Sequence, residues 1–249
     1  MFADPDLTCD GFLGGRLRIW QPKSGYRAAM DPVLLAAACP ATEGANVLEL
    51  GCGAGTASLC LAARLPGVSV TGLELQPGYA DLARRNAAEN RVAFKVIEGD
   101  LARLPADLRG SAFDHVIANP PYYPASGGTP ARDGGRERAM REETPLALWL
   151  EVALRRLRPG GWLTMIQSAD RLADMLAVKG AGSFAILPIA PRAGRDASRV
   201  ILRARKGGRA PLRILAPFIL HEGGHHARDG DSFTPAAQSI LRHGSRLEF

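Results

Sequence analysis

The chain has 249 residues, 46% hydrophobic and only 6% aromatic, which is enough apolar material for a large core and favours a helix-covered parallel sheet over a β-sandwich. No apolar run approaches the ~18 residues of a membrane span, and the acidic opening Met1-Phe2-Ala3-Asp4-Pro5-Asp6 lacks the basic and apolar regions of a secretory leader, so a cytoplasmic protein is expected. The net charge of +6 is uneven: residues 1–191 carry 20 basic and 20 acidic side chains and residues 192–249 carry 11 and 5, a basic tail that suits phosphate contacts or is merely a solvated face.

Residues 10–21 read as a hairpin turning at Gly14-Gly15, with Leu17 and Ile19 alternating against Arg16 and Arg18; it is expected to cover one edge of the main sheet. Asp31-Pro32 is the pattern of an N-cap followed by proline at the first helical position, opening a helix through Ala38. The four cysteines, Cys9, Cys39, Cys52 and Cys60, have no C-x-x-C spacing and predict free thiols rather than a disulfide framework or a zinc site.

Asn46-Val47-Leu48-Glu49-Leu50 is a β run that breaks at Gly51-Cys52-Gly53-Ala54-Gly55 and is followed by a helix over 57–65. Strand, glycine turn and helix together form the first unit of a nucleotide-binding α/β domain, because glycines let a ligand approach the outward-pointing N–H groups of a helix N-terminus. The next strand, 68–73, ends at Glu74, placed to accept hydrogen bonds from ribose hydroxyls. Position 56 is threonine, so the dinucleotide fingerprint G-x-G-x-x-G is not met, and an acid beside the turn would repel a pyrophosphate. A cofactor with a cationic amino-acid end and no phosphates fits better, and S-adenosylmethionine is that molecule.

A helix over 77–90 leads to a strand over 93–97 and then Asp100, which is either an acceptor for an adenine amino group or a turn residue. The fourth strand, Phe113 to Ala118, stops at Asn119-Pro120-Pro121-Tyr122-Tyr123, since two prolines donate no backbone N–H and the residue before proline leaves helical geometry. That strand delivers an amide and then aromatic rings to the sheet edge where open α/β sheets bind ligands. The stretch 124–138 is dominated by Gly, Pro and Arg and reads as a mobile loop over the site, acting as a lid or gripping a phosphate, or as a disordered connector.

A helix over 144–158, a strand over 162–167, a helix over 169–179 and an antiparallel pair near 183–189 and 198–205 follow, with one further strand-like run over 212–220. His221-Glu222-Gly223-Gly224-His225 matches H-E-x-x-H, but two central glycines each cost a helix about 1 kcal/mol against alanine, so a hairpin turn is expected there and no metal.

Glu49-Leu50-Gly51-Cys52-Gly53-Ala54-Gly55 with Asn119-Pro120-Pro121-Tyr122 resembles the class I S-adenosylmethionine-dependent methyltransferases that act on planar amino or amide nitrogens. Gln21, Gly25-Tyr26-Arg27, Asp31-Pro32 and the tail Arg199-Val200-Ile201-Leu202, Leu220-His221-Glu222 and Phe233-Thr234-Pro235-Ala236-Ala237 extend the resemblance to the bacterial tRNA adenine-N6 methyltransferases of the valine tRNA type. One departure is Phe233-Thr234 where tyrosine-threonine is expected.

The resemblance implies a mostly parallel seven-stranded sheet with an antiparallel C-terminal pair and helices on both faces. It implies one domain over 1–249: hairpin and helix over 10–40, a cofactor-binding core over 46–205, and a basic extension over 206–249 that meets tRNA or another structured RNA. Catalysis would rest on Asn119, Pro120, Pro121 and Tyr122, and cofactor binding on Tyr26, Arg27, Glu49, Gly51, Gly53, Gly55, Glu74, Leu75, Asp100, Leu101 and Asn119. The Asn119 side-chain oxygen and the Pro120 carbonyl would accept the two N–H bonds of the target amine, while Tyr122 stacks on the extruded base. Alternatives are an rRNA guanine-N2 methyltransferase, a protein-glutamine methyltransferase, which carries an N-terminal helical domain that 45 residues before Asn46 do not supply, and a degenerate cofactor-binding module.

Overall fold

Side chains on a strand point alternately to opposite faces, and this chain uses that alternation to fill two cores at once. The computed structural model describes residues 2–124, 141–142, 144–223 and 232–249. In chain order, β1 (Leu7–Phe12) and β2 (Leu17–Pro22) form a hairpin, and α1 (Met30–Ala38), β3 (Asn46–Leu50), α2 (Thr56–Arg64), β4 (Ser69–Glu74), α3 (Pro77–Glu89) and β5 (Phe94–Glu98) follow. The short α4 (Ala106–Arg109) precedes β6 (Phe113–Ala118), and two-residue strands β7 (Tyr123–Pro124) and β8 (Arg141–Glu142) pair with each other. Then come α5 (Leu146–Arg156), β9 (Leu157–Ser168), α6 (Leu172–Leu176), β10 (Ala181–Ala190), β11 (Arg199–Lys206), β12 (Arg213–Ile214), β13 (Phe218–Ile219) and α7 (Pro235–His243).

The main sheet runs β12-β10-β11-β9-β6-β3-β4-β5, with β13 also on β10. From β9 through β5 the strands are parallel, and β11 is antiparallel to both β9 and β10. Val47, Ile117, Ile166 and Ile201 face one core with α1, α2 and α7; Leu48, Val116, Met165 and Leu202 face the other with α5 and α6. Among the described residues no helix is long and apolar enough to cross a membrane, and the four cysteines are free.

Several expectations need correcting. The sheet has nine strands rather than seven, because 212–220 supplies two short segments on the outer edge, each parallel to β10 and separated by Pro217, which cannot donate to a ladder. The hairpin does not cover the sheet edge. It docks on α3, where the fully buried Asn86 accepts from the Trp20 N–H at 2.7 Å and donates to its carbonyl at 3.0 Å, presenting the backbone with a strand-like partner. Asp31 is not an N-cap: Ala29 holds that position, and the Asp31 carboxylate turns to tertiary partners instead.

β9 begins at Leu157 and runs through Pro159-Gly160-Gly161, with a register shift between Phe113 and His115 on β6, so turn residues here form an irregularity inside a strand. The helix expected over 169–179 is a 3₁₀ turn, Ala169–Arg171, followed by α6.

Much of the basic tail is committed to the fold. The Arg203 guanidinium is buried, bonds the Ala38 carbonyl and lies 3.8 Å from the Phe249 ring centroid. Arg192 donates to the Glu222 and Gly223 carbonyls, Arg205 to Gly160 and Lys206 to Leu157. Leu220, Ala237, Ile240 and Leu247 join the same core as α1 and α2. The stretch from Ala125 to Met140 lies outside the described residues, as do His225 and His226; His221 forms an antiparallel bridge with Phe233.

Candidate active site at the sheet's switch point

From β3 the chain steps outward to β4 and β5, then returns to lay β6 on the other side of β3. Segments leaving β3 and β6 therefore diverge and leave a crevice between them. Leu50 pairs with Ala118 across that seam, so Gly51 and Asn119 leave the sheet side by side. A cavity of about 410 Å³ opens there.

Of the residues predicted for the site, Tyr26, Arg27, Glu49, Gly51, Gly53, Glu74, Leu75, Asn119, Pro120, Pro121 and Tyr122 line this cavity. Gly55, Asp100 and Leu101 do not. A Cβ on Gly55 would meet Phe94 and Ala83, so that glycine makes room for packing. The Asp100 carboxylate accepts from the Ala102 N–H at 2.7 Å and caps a 3₁₀ turn, and Leu101 is buried in the core beside α5.

The glycine turn is built for close approach. Gly51, Gly53 and Gly55 all have positive φ, which a side chain resists. At Gly51 an added Cβ would sit 2.5 Å from Cη2 of Trp149. Gly51→Ala is therefore expected to lose at least about 1–2 kcal/mol from the left-handed backbone alone and to weaken cofactor binding by crowding the cavity. Thermal unfolding with and without S-adenosylhomocysteine checks both.

Glu49 is 3% exposed, and its Oε2 accepts from the Ser58 backbone N–H at 3.0 Å and from Ser58 Oγ at 2.6 Å. Burial pushes its carboxyl up to about 8, the Ser58 bonds pull against that, and the nearby Glu74 charge adds to it. Glu74 is likewise raised by burial; its Oε2 accepts from the Gly53 N–H at 2.8 Å and its Oε1 from Gln76 at 2.9 Å. Among the described residues neither buried acid forms an ion pair, and together they are half of a binding site for a cationic, hydroxyl-bearing ligand. Leu75, 54% exposed, adds an apolar surface beside them.

On the β6 side, the Asn119 Nδ2 donates to the Tyr26 hydroxyl at 3.3 Å, which orients the amide and leaves its oxygen as an acceptor. Gln167, fully buried at the end of β9, donates from Nε2 to the carbonyls of Pro120 at 3.4 Å and Pro121 at 3.2 Å. The Tyr122 hydroxyl donates to Asp31 Oδ2 at 2.6 Å. Sequence reasoning missed Asp31, Thr56, Trp149 and Arg199 as cavity residues. Thr56 had a signal, since it opens the helix after the glycine turn; Trp149 had none, standing among leucines in an ordinary amphipathic helix. Thr56 Oγ1 and Trp149 Nε1 are buried with no hydrogen-bond partner among the described residues, so the cavity wall retains unmet polar capacity.

A sheet of this order, with an acid, a glycine turn and a second acid on one side of the switch point and an amide on the other, defines a class I methyltransferase. Residues 47–125 match a family model described as a methyltransferase domain. The tRNA1(Val) (adenine(37)-N6)-methyltransferase of Porphyromonas gingivalis is 33% identical over 178 residues, 68% of this chain and 69% of the relative. A crystal structure of a predicted O-methyltransferase from Agrobacterium tumefaciens superposes with a TM-score of 0.71 at 31% identity, covering 88% of this chain and 98% of that one. The release factor glutamine methyltransferase of Geobacter sulfurreducens is 34% identical, but over 49% of this chain and 45% of its own length. The chain belongs to the S-adenosylmethionine-dependent methyltransferases, in the family of the tRNA1(Val) (adenine(37)-N6)-methyltransferases. Its cofactor is S-adenosylmethionine, and the residues fit it: paired buried acids, a left-handed glycine turn and orphaned polar atoms all line one cavity.

Proposed function

We propose that this enzyme methylates the exocyclic N6 of an adenine in tRNA near the anticodon. The observation that carries the reading is the pairing of Leu50 with Ala118, which sets the glycine turn and Asn119 at adjacent strand ends facing one cavity. Glu49 and the Gly51–Gly53 turn hold the amino-acid end of the cofactor, and Glu74 holds the ribose. Asp100 and Leu101, outside the cavity lining, join the adenine end only if their loop shifts. When bound, the cofactor supplies an electrophilic sulfonium methyl.

An exocyclic amine is a poor nucleophile because its lone pair is delocalised into the ring. Asn119 Oδ1 and the Pro120 carbonyl accept its two N–H bonds and turn the lone pair outward. The Pro120 oxygen already accepts a 3.4 Å bond from Gln167 and has a second lone pair for the substrate. Transfer to oxygen instead would call for a base to take a hydroxyl proton, whereas an amino nitrogen sheds its proton after transfer. The Asn119 oxygen and the Pro120 carbonyl offer two acceptors at one turn, which match the two N–H donors of an amino group better than the single O–H of a hydroxyl and favour nitrogen. The glutamine relative supports a second reading, a protein amide, less well, because its likeness spans only the shared core.

The chain acts as one methyltransferase domain in the cytoplasm, with Leu220, Ala237, Ile240 and Leu247 of the C-terminal extension packed into its core. RNA phosphates meet the exposed Arg195, on the β10–β11 turn at the cavity's edge of the sheet, rather than the arginines already bonded inside the fold. Tyr122 stacks on the extruded base, so Tyr122→Ala is expected to weaken tRNA use by about 1–3 kcal/mol while S-adenosylhomocysteine still binds; unchanged kcat/KM on tRNA would refute the stacking. The function itself is tested by transfer of labelled methyl to tRNA, rRNA and release factor in parallel, followed by nucleoside analysis. Label in N6-methyladenosine of tRNA is expected; label in guanosine or glutamine would overturn the assignment.

A further inference from the structure

Three segments far apart in the chain converge on one carboxylate. Asp31, in the first turn of α1, accepts the Tyr122 hydroxyl at 2.6 Å and Arg199 Nε at 2.9 Å, both on Oδ2. All three residues line the cavity. Asp31 is held on its own side by the amino end of a helix, which favours a negative group, and by a partly buried arginine at the start of β11. A tyrosine needed only as apolar surface does not require its hydroxyl tied to a fixed anion.

The neighbouring turn residues are gripped independently. Arg199 pairs with Ser168 across the ladder, and Gln167, adjacent to it, accepts from the Ser168 N–H while reaching the two proline carbonyls. The Asn-Pro-Pro part is thus fixed from β9, and the tyrosine from α1.

We propose that Asp31 is a positioning residue for the methyl acceptor: through the Tyr122 hydroxyl it fixes the plane of the ring against which the target base is held, and Arg199 fixes the carboxylate. This rests on the reading of Tyr122 as the stacking ring. In this role Asp31 acts on the acceptor through the Tyr122 hydroxyl. Losing one charge-assisted hydrogen bond that orders the ring corresponds to about a tenfold loss in acceptor use.

The test is a double-mutant cycle on tRNA methylation with the full chain, with S-adenosylhomocysteine affinity as the control for folding. Asp31→Ala is expected to raise KM for tRNA about tenfold, with a smaller change in kcat and cofactor affinity within about twofold. Tyr122→Phe is expected to do the same, and adding Asp31→Ala to it to do nothing more. Multiplying effects in the double variant, or a parental KM in Asp31→Ala, would overturn the proposal. If Asp31→Ala fails to bind the cofactor, Asp31→Asn replaces it: a smaller rise in KM that disappears in the Tyr122→Phe background is expected, and an equal rise in both backgrounds would overturn it. Tyr122→Ala with unchanged tRNA use would instead sink the stacking reading, a different result from uncoupled Asp31.

Discussion

Replacing Asn119 by alanine is expected to reduce methyl transfer by about 10²–10³-fold or more, the loss seen when a preorganised transition-state hydrogen bond is removed, while S-adenosylhomocysteine binds nearly as in the parent. The expectation follows from position. Asn119 leaves β6 directly beside Gly51, lines the cavity, and has its Nδ2 engaged by the Tyr26 hydroxyl, so its oxygen is the acceptor left for a substrate. The side chain packs no core and caps no helix, so its loss costs the fold little. Single-turnover transfer and calorimetric cofactor binding on the same variant separate the two effects. Loss of cofactor binding would show that Asn119 serves the cofactor instead of the acceptor.

Replacing Glu49 by glutamine is expected to move binding and stability in opposite directions. A carboxyl held at about 8 in the folded protein and near 4.5 when unfolded makes the folded state bind more protons between those values, so stability falls as pH rises from 4.5 to about 8. Glutamine removes that fall. The variant should melt above the parent at pH 8, with the two converging as pH drops toward 4.5. Cofactor affinity should nevertheless fall by about 10–100-fold, the worth of a hydrogen bond to a charged group, because the acid supplies the counter-charge for an ammonium.

The same shift predicts that the parent binds cofactor more tightly as pH rises toward 8 and releases a proton on binding near neutral pH. Calorimetry in buffers of different ionisation enthalpy measures that release, and the glutamine variant should lack it. A parent that binds with no proton release across this range would contradict the role given to Glu49.

The mostly parallel sheet with its antiparallel pair, and the turns that carry Gly51, Gly53, Glu74 and Asn119 to one cavity, were legible because they are written locally. Glycines after β3, an acid at the end of β4 and prolines after β6 each act through the backbone of their own turn. What could not be read depends on partners distant in sequence. Asp31 before a proline carries a cap pattern, yet its carboxylate is worth more to Tyr122 and Arg199, 91 and 168 positions away. Asn86 on α3 gives no sign in sequence that it will pin Trp20 of the hairpin. The basic tail suggested a single surface, but Arg203 is drawn inside by a carbonyl at the end of α1 and Arg192 by carbonyls of the bend at Glu222-Gly223. Pro159-Gly160-Gly161 signalled a turn and is an irregularity within β9, since glycine and proline mark a break in regular geometry without saying whether pairing resumes beyond it.

The central claim is that one cavity brings a sulfonium methyl and a flat amino group together at the end of β6. A crystal structure with S-adenosylhomocysteine tests it most directly. The account predicts the amino-acid end at Glu49 and Gly51–Gly53, the ribose at Glu74, and the sulfur open toward Asn119 Oδ1. A cofactor lodged elsewhere, or an Asn119 amide oxygen turned away from the sulfur into the protein, would contradict it.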